Sequence, residues 1–472
     1  MKDQVKQIHF VGIGGVGMAG IAEVCLSLGF TVSGSDIKEN ATVQHLRTLG
    51  ARIQIGHAAE HVQKSDVVVV STAIPDENPE VAFAKERRIP VIPRAAMLAE
   101  LMRMRFGIAI AGTHGKTTTT SLTAAILTQG GLDPTFVIGG KLNQAATNAR
   151  LGSSQYLVAE ADESDASFLH LSPMMAVVTN IDEDHMETYQ GDYQNLENTF
   201  VEFIHRLPFY GLVIVCHEDE NIRRLLPKLS RKTRTYGFSD EADVYASEVT
   251  HHGLTMRFKV HALQSEPFEV TLNSPGRHNV LNALAAITIG LELDVSVEAI
   301  RQALTEFGGV GRRFEVYPHR LIGGRDVTLV DDYGHHPTEL SATIETARQS
   351  FPERRLVLVF QPHRFSRTRD LFDGFVQALV AADLVVLLDV YAAGEAPLAA
   401  FDSKALLQAM RLRGHRDNLH VESQAELNEL MTPVLLDEDV LLVMGAGDIG
   451  QLARDWKERV LNEEMDHANE NP

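Results

Sequence analysis

Phe106-Gly-Ile-Ala-Ile-Ala-Gly-Thr-His-Gly-Lys-Thr-Thr-Thr-Thr120 starts as an apolar strand and breaks into a glycine loop, Gly112-Thr113-His114-Gly115-Lys116-Thr117. A helix-competent segment follows at residues 121–129. Strand, glycine loop and helix in this order form a phosphate-binding unit. The glycines let backbone N–H groups close on phosphate oxygens, and the helix start adds positive potential. Lys116 supplies a mobile charge, and the Thr117 hydroxyl suits a magnesium ion. The usual loop has another glycine five residues before Gly115, where this chain has Ile110, so the loop is a variant form. It reads as an ATP site formed by Gly112, Thr113, His114, Gly115, Lys116, Thr117 and Thr118.

Downstream, the short strand Tyr156-Leu-Val-Ala159 ends in Glu160-Ala-Asp162-Glu163-Ser-Asp165. Four carboxylates in six residues repel one another unless a cation or a positive loop faces them. The strand Met174-Met-Ala-Val-Val178 ends in Thr179-Asn180-Ile-Asp182-Glu-Asp184-His185. In a parallel sheet these ends share one edge with the glycine loop, and ligands bind at that edge. On this reading Glu160 and His185 hold magnesium near the triphosphate; capping and solvation of acidic loops is the alternative. Residues 210–272 mix strands with polar turns and carry little information. Asn279 and Asn282 share a face at the start of the next helix. They either cap that helix or present their amides to a purine or phosphate.

Upstream, Ile8-His-Phe-Val11 is a strand, and Gly12-Ile13-Gly14-Gly15-Val16-Gly17 is a complete G-x-G-x-x-G opening a helix. A second strand ends near Asp36, about where a dinucleotide fold places its ribose-binding acid. The loop fits any nucleoside diphosphate. Val67-Val-Val-Val70 is a buried-type strand with Ser71-Thr72 at its C-terminal end. This first domain is expected to end near Arg105.

A third domain starts around Gly311-Arg312-Arg313-Phe314. The strand Val327-Thr-Leu-Val330 delivers Asp331-Asp332-Tyr333-Gly-His335-His336-Pro337. Leu356-Val-Leu-Val-Phe360 delivers Gln361-Pro-His363-Arg364-Phe-Ser-Arg367-Thr-Arg369. Further strands at 384–390 and 440–444 continue the alternation of a βαβ sheet. The arginines form a cationic group suited to carboxylates or phosphates, or else an ordinary surface cluster. His335-His336 has no further ligands at metal-site spacing. A second G-x-G-x-x-G, Gly445-Ala-Gly447-Asp-Ile-Gly450, is followed by only one helix before a charged tail. With no second strand to supply a ribose acid, it is expected to be a close packing turn, with at most a minor ligand role.

The 472 residues allow two to four domains, and 44% hydrophobic with 22% charged residues is a globular composition. No apolar run reaches membrane-spanning length, and the N-terminal residues lack a signal peptide's apolar core. Two cysteines cannot build a disulfide framework, so a cytoplasmic location is expected. A formal charge of −20 argues against nucleic acid or anionic membrane as partners. An anionic nucleotide must therefore be met by local lysines, arginines, magnesium and helix ends, acting within a screening length of about 8 Å.

Taken together, the blocks at residues 12–18, 112–119, 160–168, 179–189, 276–282, 311–314, 331–339 and 361–368 resemble the Mur ligase family, most closely its alanine-adding branch. The resemblance covers essentially the whole chain. It implies an α/β protein of three domains. A Rossmann-like UDP-sugar domain would take residues 1–105 and a P-loop ATPase domain with a mostly parallel sheet residues 106–311. A C-terminal Rossmann-like α/β domain for the amino acid would take residues 312–472. The implied reaction joins L-alanine to UDP-N-acetylmuramate with ATP and Mg2+, in a monomer or homodimer.

Residue by residue, the resemblance gives Lys116 and Thr117 to triphosphate and magnesium, Glu160 and His185 to magnesium, and Asn279 and Asn282 to the nucleotide. It puts Arg313 and Asp332 at an interdomain catalytic site, and Tyr333, His335, Arg364 and Arg367 near the incoming amino acid. Gly12, Gly14, Gly15, Val16, Gly17, Asp36, Ser71 and Thr72 would hold the UDP-sugar. Several relatives carry a modified lysine downstream of the position of His185. No lysine occurs here between Lys141 and Lys228, so that role is not transferred.

Overall fold

The computed structural model describes residues 5–71, 73–138, 149–263 and 265–457. Three sheets account for its strands. The first contains β1 (Gln7–Val11), β2 (Thr31–Asp36), β3 (Arg52–Ile55), β4 (Val67–Val70) and β5 (Val91–Pro93). Its order is β3-β2-β1-β4-β5 with every pairing parallel. The order reverses beside β1, so the crevice beyond the ends of β1 and β4 is where an open α/β sheet binds its ligand.

The second sheet is built from β6 (Phe106–Ala111), β7 (Thr135–Val137), β8 (Ala149–Arg150), β9 (Tyr156–Glu160), β10 (Met175–Val178), β11 (Leu212–Cys216), β12 (Lys232–Gly237), β13 (Val244–His252), β14 (Thr255–Ala262) and β15 (Ser265–Leu272). The order is β15-β14-β13-β12-β11-β10-β6-β9-β7-β8. β6 lies between β10 and β9, parallel to both, with Ala111 opposite Val178 and Ile110 opposite Glu160. The register delivers all three strand ends to one edge. β6 is buried along nearly its whole length, as expected for a central parallel strand covered on both faces.

The third sheet comprises β16 (Glu315–Ile322), β17 (Arg325–Asp332), β18 (Leu356–Phe360), β19 (Leu384–Leu388), β20 (Asn418–Val421) and β21 (Val440–Met444), in the order β16-β17-β21-β18-β19-β20. β16 runs antiparallel to β17 and the other pairings are parallel, so the sheet is mixed. This departs from the expected βαβ alternation. The reason is local: Gly323-Gly324 makes a two-residue hairpin turn that only an antiparallel neighbour can follow. Successive residues of β18 point to opposite faces and both faces are filled. Leu356, Leu358 and Phe360 join one apolar cluster, Val357 and Val359 the other.

The chain forms two compact units. One takes the described residues of Met1–Glu248, Phe258–Thr271 and Val280–Gly308; the other takes those of Val249–Arg257, Leu272–Asn279 and Gly309–Pro472. Cys25 and Cys216 are both buried free thiols. Among the described residues no helix is long and apolar enough to cross a membrane.

Candidate functional site

β6 ends where Gly112 and Gly115 turn at φ +124° and +82°, a region that favours glycine, and Gly115 caps the helix Lys116–Gln129. A side chain at Gly112 would collide with Thr179 Oγ1, and one at Gly115 with Asn282 Oδ1. The loop is clamped by the end of β10. His114 N donates to Asn180 Oδ1 (2.7 Å), while Thr179 Oγ1 (2.6 Å) and Asn180 Nδ2 (3.0 Å) donate to the His114 carbonyl. Asp182 N donates to Thr113 Oγ1 (2.9 Å), and His114 Nε2 lies 3.1 Å from Asp182 Oδ2. Thr117, Thr118, Thr119, Thr120 and Ser121 are all buried. Thr120 and Ser121 satisfy their hydroxyls on the carbonyls of Lys116 and Thr117, and Thr119 donates to Asn282 Oδ1.

Lys116 Nζ donates to the carbonyls of Gly112 (2.6 Å) and Thr113 (3.0 Å) and to Glu163 Oε1 (2.8 Å), with Glu163 Oε2 at 2.7 Å. Burial would lower the lysine pKa, but Glu163, with Asp162 and Glu160 beyond it, holds it above the ordinary value. Burial pushes the Glu163 carboxyl up, while the Lys116 ammonium beside it pulls it back toward the charged form. The acidic strand end therefore does meet a cation, and the carboxylate touching it is Glu163, which the sequence reading left without a role. Glu160 ends β9, half-buried, close enough for its charge to act on Lys116. His185 sits at φ +53°, its Nε2 3.5 Å from Asp184 Oδ2.

The first glycine loop is held from β2. Gly12 N and Ile13 N donate to the Ser35 carbonyl, and Gly14 N donates to Asp36 Oδ2 at 2.8 Å. Gly14 is buried against Asp36, Asn40 and Val43, whereas Gly12, Gly15 and Gly17 line a cleft of about 170 Å³ together with Ser71 and Arg94. Val16 begins the helix Val16–Ser27. Thr72 lies outside the described residues. Arg94 was not singled out from sequence. It packs against Gly17 and bonds Asp162 Oδ2 at 3.1 Å, so Arg94 links the first glycine loop to the acidic end of β9.

In the second unit, Asp332 is buried and accepts from Phe314 N and Gly334 N, each at 2.7 Å. Burial raises its pKa; Arg313 pulls the other way. Arg312 and Arg313 stack over the Tyr333 ring, at 5.1 and 5.3 Å to its centroid. His335 Nδ1 meets the Tyr333 carbonyl at 3.1 Å. His336 caps the helix Pro337–Ser350 in a capping box with Glu339, a structural task for the second histidine of the pair. The arginine group is not a bare cationic patch. Arg364 Nη1 lies 3.8 Å from Glu395 Oε1, and Arg367 is buried with Nη1 3.3 Å from His363 Nδ1. His363 stacks on Tyr391, and burial, His335, Arg367 and Arg364 lower its pKa to about 4. His363, Tyr391 and Glu395 were not assigned from sequence. Glu395 and Tyr391 arrive from a loop some thirty residues away, which no local pattern marks.

Asn279 Nδ2 donates to the Pro275 carbonyl (2.7 Å) and closes the turn before its helix. Asn282 faces the second glycine loop, residues 112–117, through Gly115 and Thr119. The two amides that sequence left equivalent thus make different contacts.

Three family models match the chain in succession: the Mur ligase family catalytic domain over residues 7–106, the Mur ligase middle domain over 110–290, and the Mur ligase glutamate ligase domain over 312–447. The chain is 79% identical over 459 residues to the UDP-N-acetylmuramate–L-alanine ligase of Hydrogenovibrio crunogenus, covering 97% of this chain and all of that one. It is 59% identical to the enzyme of the same name from Neisseria gonorrhoeae, over 96% and 97% of the two chains. Among solved structures, the UDP-N-acetylmuramate–alanine ligase of Thermotoga maritima superposes with a TM-score of 0.81 at 31% identity, covering 97% and 99% of the chains. A murein peptide ligase from Psychrobacter arcticus shares the fold at a TM-score of 0.70 and 24% identity, over 97% and 98%. The chain belongs to the Mur ligase family.

Proposed function

We propose that this protein joins L-alanine to the lactyl carboxylate of UDP-N-acetylmuramate, with ATP cleaved to ADP and phosphate. The observation that carries this is 79% identity to an alanine-adding ligase along practically the whole chain. The peptide-adding alternative has only a fold likeness at 24% identity in its favour. An NAD-dependent dehydrogenase would leave the Gly112–Thr117 loop and its acidic neighbour without a task. On this reading residues 1–105 take the sugar nucleotide, 106–311 ATP and 312–472 the amino acid, and the reaction runs in the cytoplasm.

A carboxylate and an amine do not condense in neutral water. The γ-phosphoryl group passes from ATP to the lactyl carboxylate, breaking the β–γ bridge bond and forming an acyl phosphate. The amine of L-alanine attacks the acyl carbon, the tetrahedral intermediate expels phosphate, and an amide remains. Bringing the carboxylate to the γ-phosphoryl group crowds two anions. Lys116, the loop amides and the helix start lower that repulsion. Gly12, Gly14, Gly15, Val16, Gly17, Asp36, Ser71 and Thr72 are assigned to the sugar nucleotide, Asn279 and Asn282 to ATP. Thr117, Glu160 and His185 are assigned to magnesium. A hydroxyl and a half-buried carboxylate are the hard oxygen donors Mg2+ prefers, and they follow adjoining strands, so Thr117 and Glu160 fit; the His185 imidazole is not such a donor. When bound, Mg2+ would neutralise charge on the transferring phosphoryl oxygens. Arg313 and Asp332 order the third-domain loop. Tyr333, His335, Arg364 and Arg367 receive the amino acid. Because both Asp332 oxygens already hold backbone amides, His335 is favoured over Asp332 for taking the amine proton.

The test is phosphate release from ATP measured with each substrate omitted in turn. It should require both UDP-N-acetylmuramate and L-alanine, and a tripeptide should not replace the alanine. ATP turnover indifferent to the sugar nucleotide would defeat the assignment.

A further inference from the structure

Lys116 has three N–H bonds to give, and all three are used. Two go to the Gly112 and Thr113 carbonyls, which belong to the loop itself. The third goes to Glu163, whose two oxygens stand 2.8 and 2.7 Å from Nζ. A phosphate oxygen can gain a hydrogen bond from this ammonium only by taking one of those places. The two carbonyls are fixed by the turn that forms the loop; Glu163 is the member of the set on a separate segment. It is also the member that carries charge, so it competes with a phosphate for the same electrostatic partner. Its side chain is 5% exposed, which leaves the competition little weakened by water.

We propose that Glu163 is a latch on the loop lysine, a carboxylate that holds Lys116 against the loop and that the triphosphate of ATP must displace. The placement supports this over a purely structural ion pair. Glu163 is secured by its backbone, whose carbonyl accepts from the Tyr189 hydroxyl and from Ala166 N, so its segment does not depend on the carboxylate for its position. Its other charged neighbour, Asp162, has separate partners in Arg94 and Ser164. Once Lys116 turns to a phosphate, Glu163 is left beside Asp162, and that repulsion is a standing cost of ATP binding. The latch thus restrains ATP affinity, and removing it tightens binding.

This rests on reading residues 112–117 as the triphosphate loop, and three variants separate the two claims. ATP and UDP-N-acetylmuramate affinities are measured by calorimetry on the full chain. Lys116→Ala should weaken ATP at least tenfold; unchanged ATP binding would overturn the loop reading itself. Glu163→Gln replaces a charged acceptor by a neutral one of the same shape and should tighten ATP about tenfold, with sugar-nucleotide affinity unaltered. A merely structural ion pair predicts the opposite sign. Equal or weaker ATP binding in Glu163→Gln, alongside a loss in Lys116→Ala, overturns the latch while leaving the loop reading intact. If Glu163→Gln loses sugar-nucleotide binding as well, Glu163→Asp decides. Its carboxylate is one methylene shorter, and it should tighten ATP about threefold; no tightening overturns the latch.

Discussion

The pattern G-x-G-x-x-G occurs at residues 12–17 and again at residues 445–450, and the two copies end in opposite surroundings. In the first, Gly12, Gly15 and Gly17 line a cleft, and only Gly14 is pressed into the fold. In the second, Gly445 and Gly447 sit against Gln361 and Tyr391, and Gly450 against the Arg312 guanidinium. Gln361 also takes Ile449 N (3.2 Å) and gives a bond to Asp448 (2.7 Å), so it ties the loop to the end of β18. Identical glycine spacing therefore serves access in one place and close packing in the other. What separates them is the neighbouring strand end: β2 brings small Ser35 and Asp36, while β18 brings Gln361 and, through its bridge to His363, Tyr391.

The largest effect should come from the loop that differs from both by carrying a lysine. Lys116→Ala is expected to cost on the order of 3 kcal/mol in kcat/KM, more than a hundredfold, and also to lower the melting temperature, because Glu163 loses its buried partner. Steady-state kinetics beside thermal melts check this. A loss confined to KM for the sugar nucleotide would instead place the lysine in the first loop's task.

Gly450→Ala tests the packed copy. Its Cβ would enter the Arg312 guanidinium, which bonds Asp331 and the Gly445 carbonyl. Displacing it should destabilise the second unit by about 2 kcal/mol. The chain's one tryptophan, Trp456, is buried in that unit, so its fluorescence in urea reports the change directly. Gly17→Ala should do the reverse. The new methyl displaces the far end of Arg94 at the cleft, raising KM for the sugar nucleotide about tenfold (roughly 1.4 kcal/mol) while the Trp456 transition stays in place. Equal stability losses in both variants would break the contrast.

The same contrast explains how much could be read from the sequence. Strand, loop and helix at residues 106–129 and at residues 8–28 were legible because each unit is built from contiguous residues. The packing role of the second glycine pattern was legible because the sequence after it reads as one helix and a charged tail. The partner of Lys116 was not. Four carboxylates lie between Glu160 and Asp165, and only the fold decides that Glu163, 47 positions from the lysine, is the one that turns to it. Nor were β13 to β15 legible, since strands with one wet face alternate too weakly among polar turns. The sequence signal for the antiparallel β16 is the Gly323-Gly324 turn.

The smallest effect, and the one that divides the two regions most finely, is the response to acid. Tyr391, which walls the packed loop, stacks on His363, whose pKa burial and neighbouring cations lower to about 4. His278, in the same unit, is lowered to about 4 by burial and Arg313. A depressed histidine contributes stability that is present above its unfolded value near 6.5 and is lost as pH falls through about 4, because the unfolded chain takes the proton more readily. Screening at these partly exposed rings limits the loss to about 1 kcal/mol each. Behind the first loop, Ser35 instead donates to buried Glu80. Burial would raise that carboxyl, but His9, Ser35 and His61 outweigh it and hold it at about 2. Its contribution is present above 4.5 and survives until pH falls toward 2. Between pH 6.5 and 4.5 the Trp456 urea midpoint should therefore move to lower denaturant. Sugar-nucleotide binding, followed at the same pH values, should not track that shift, and a parallel decline would mean that the two glycine loops share one acid-sensitive support.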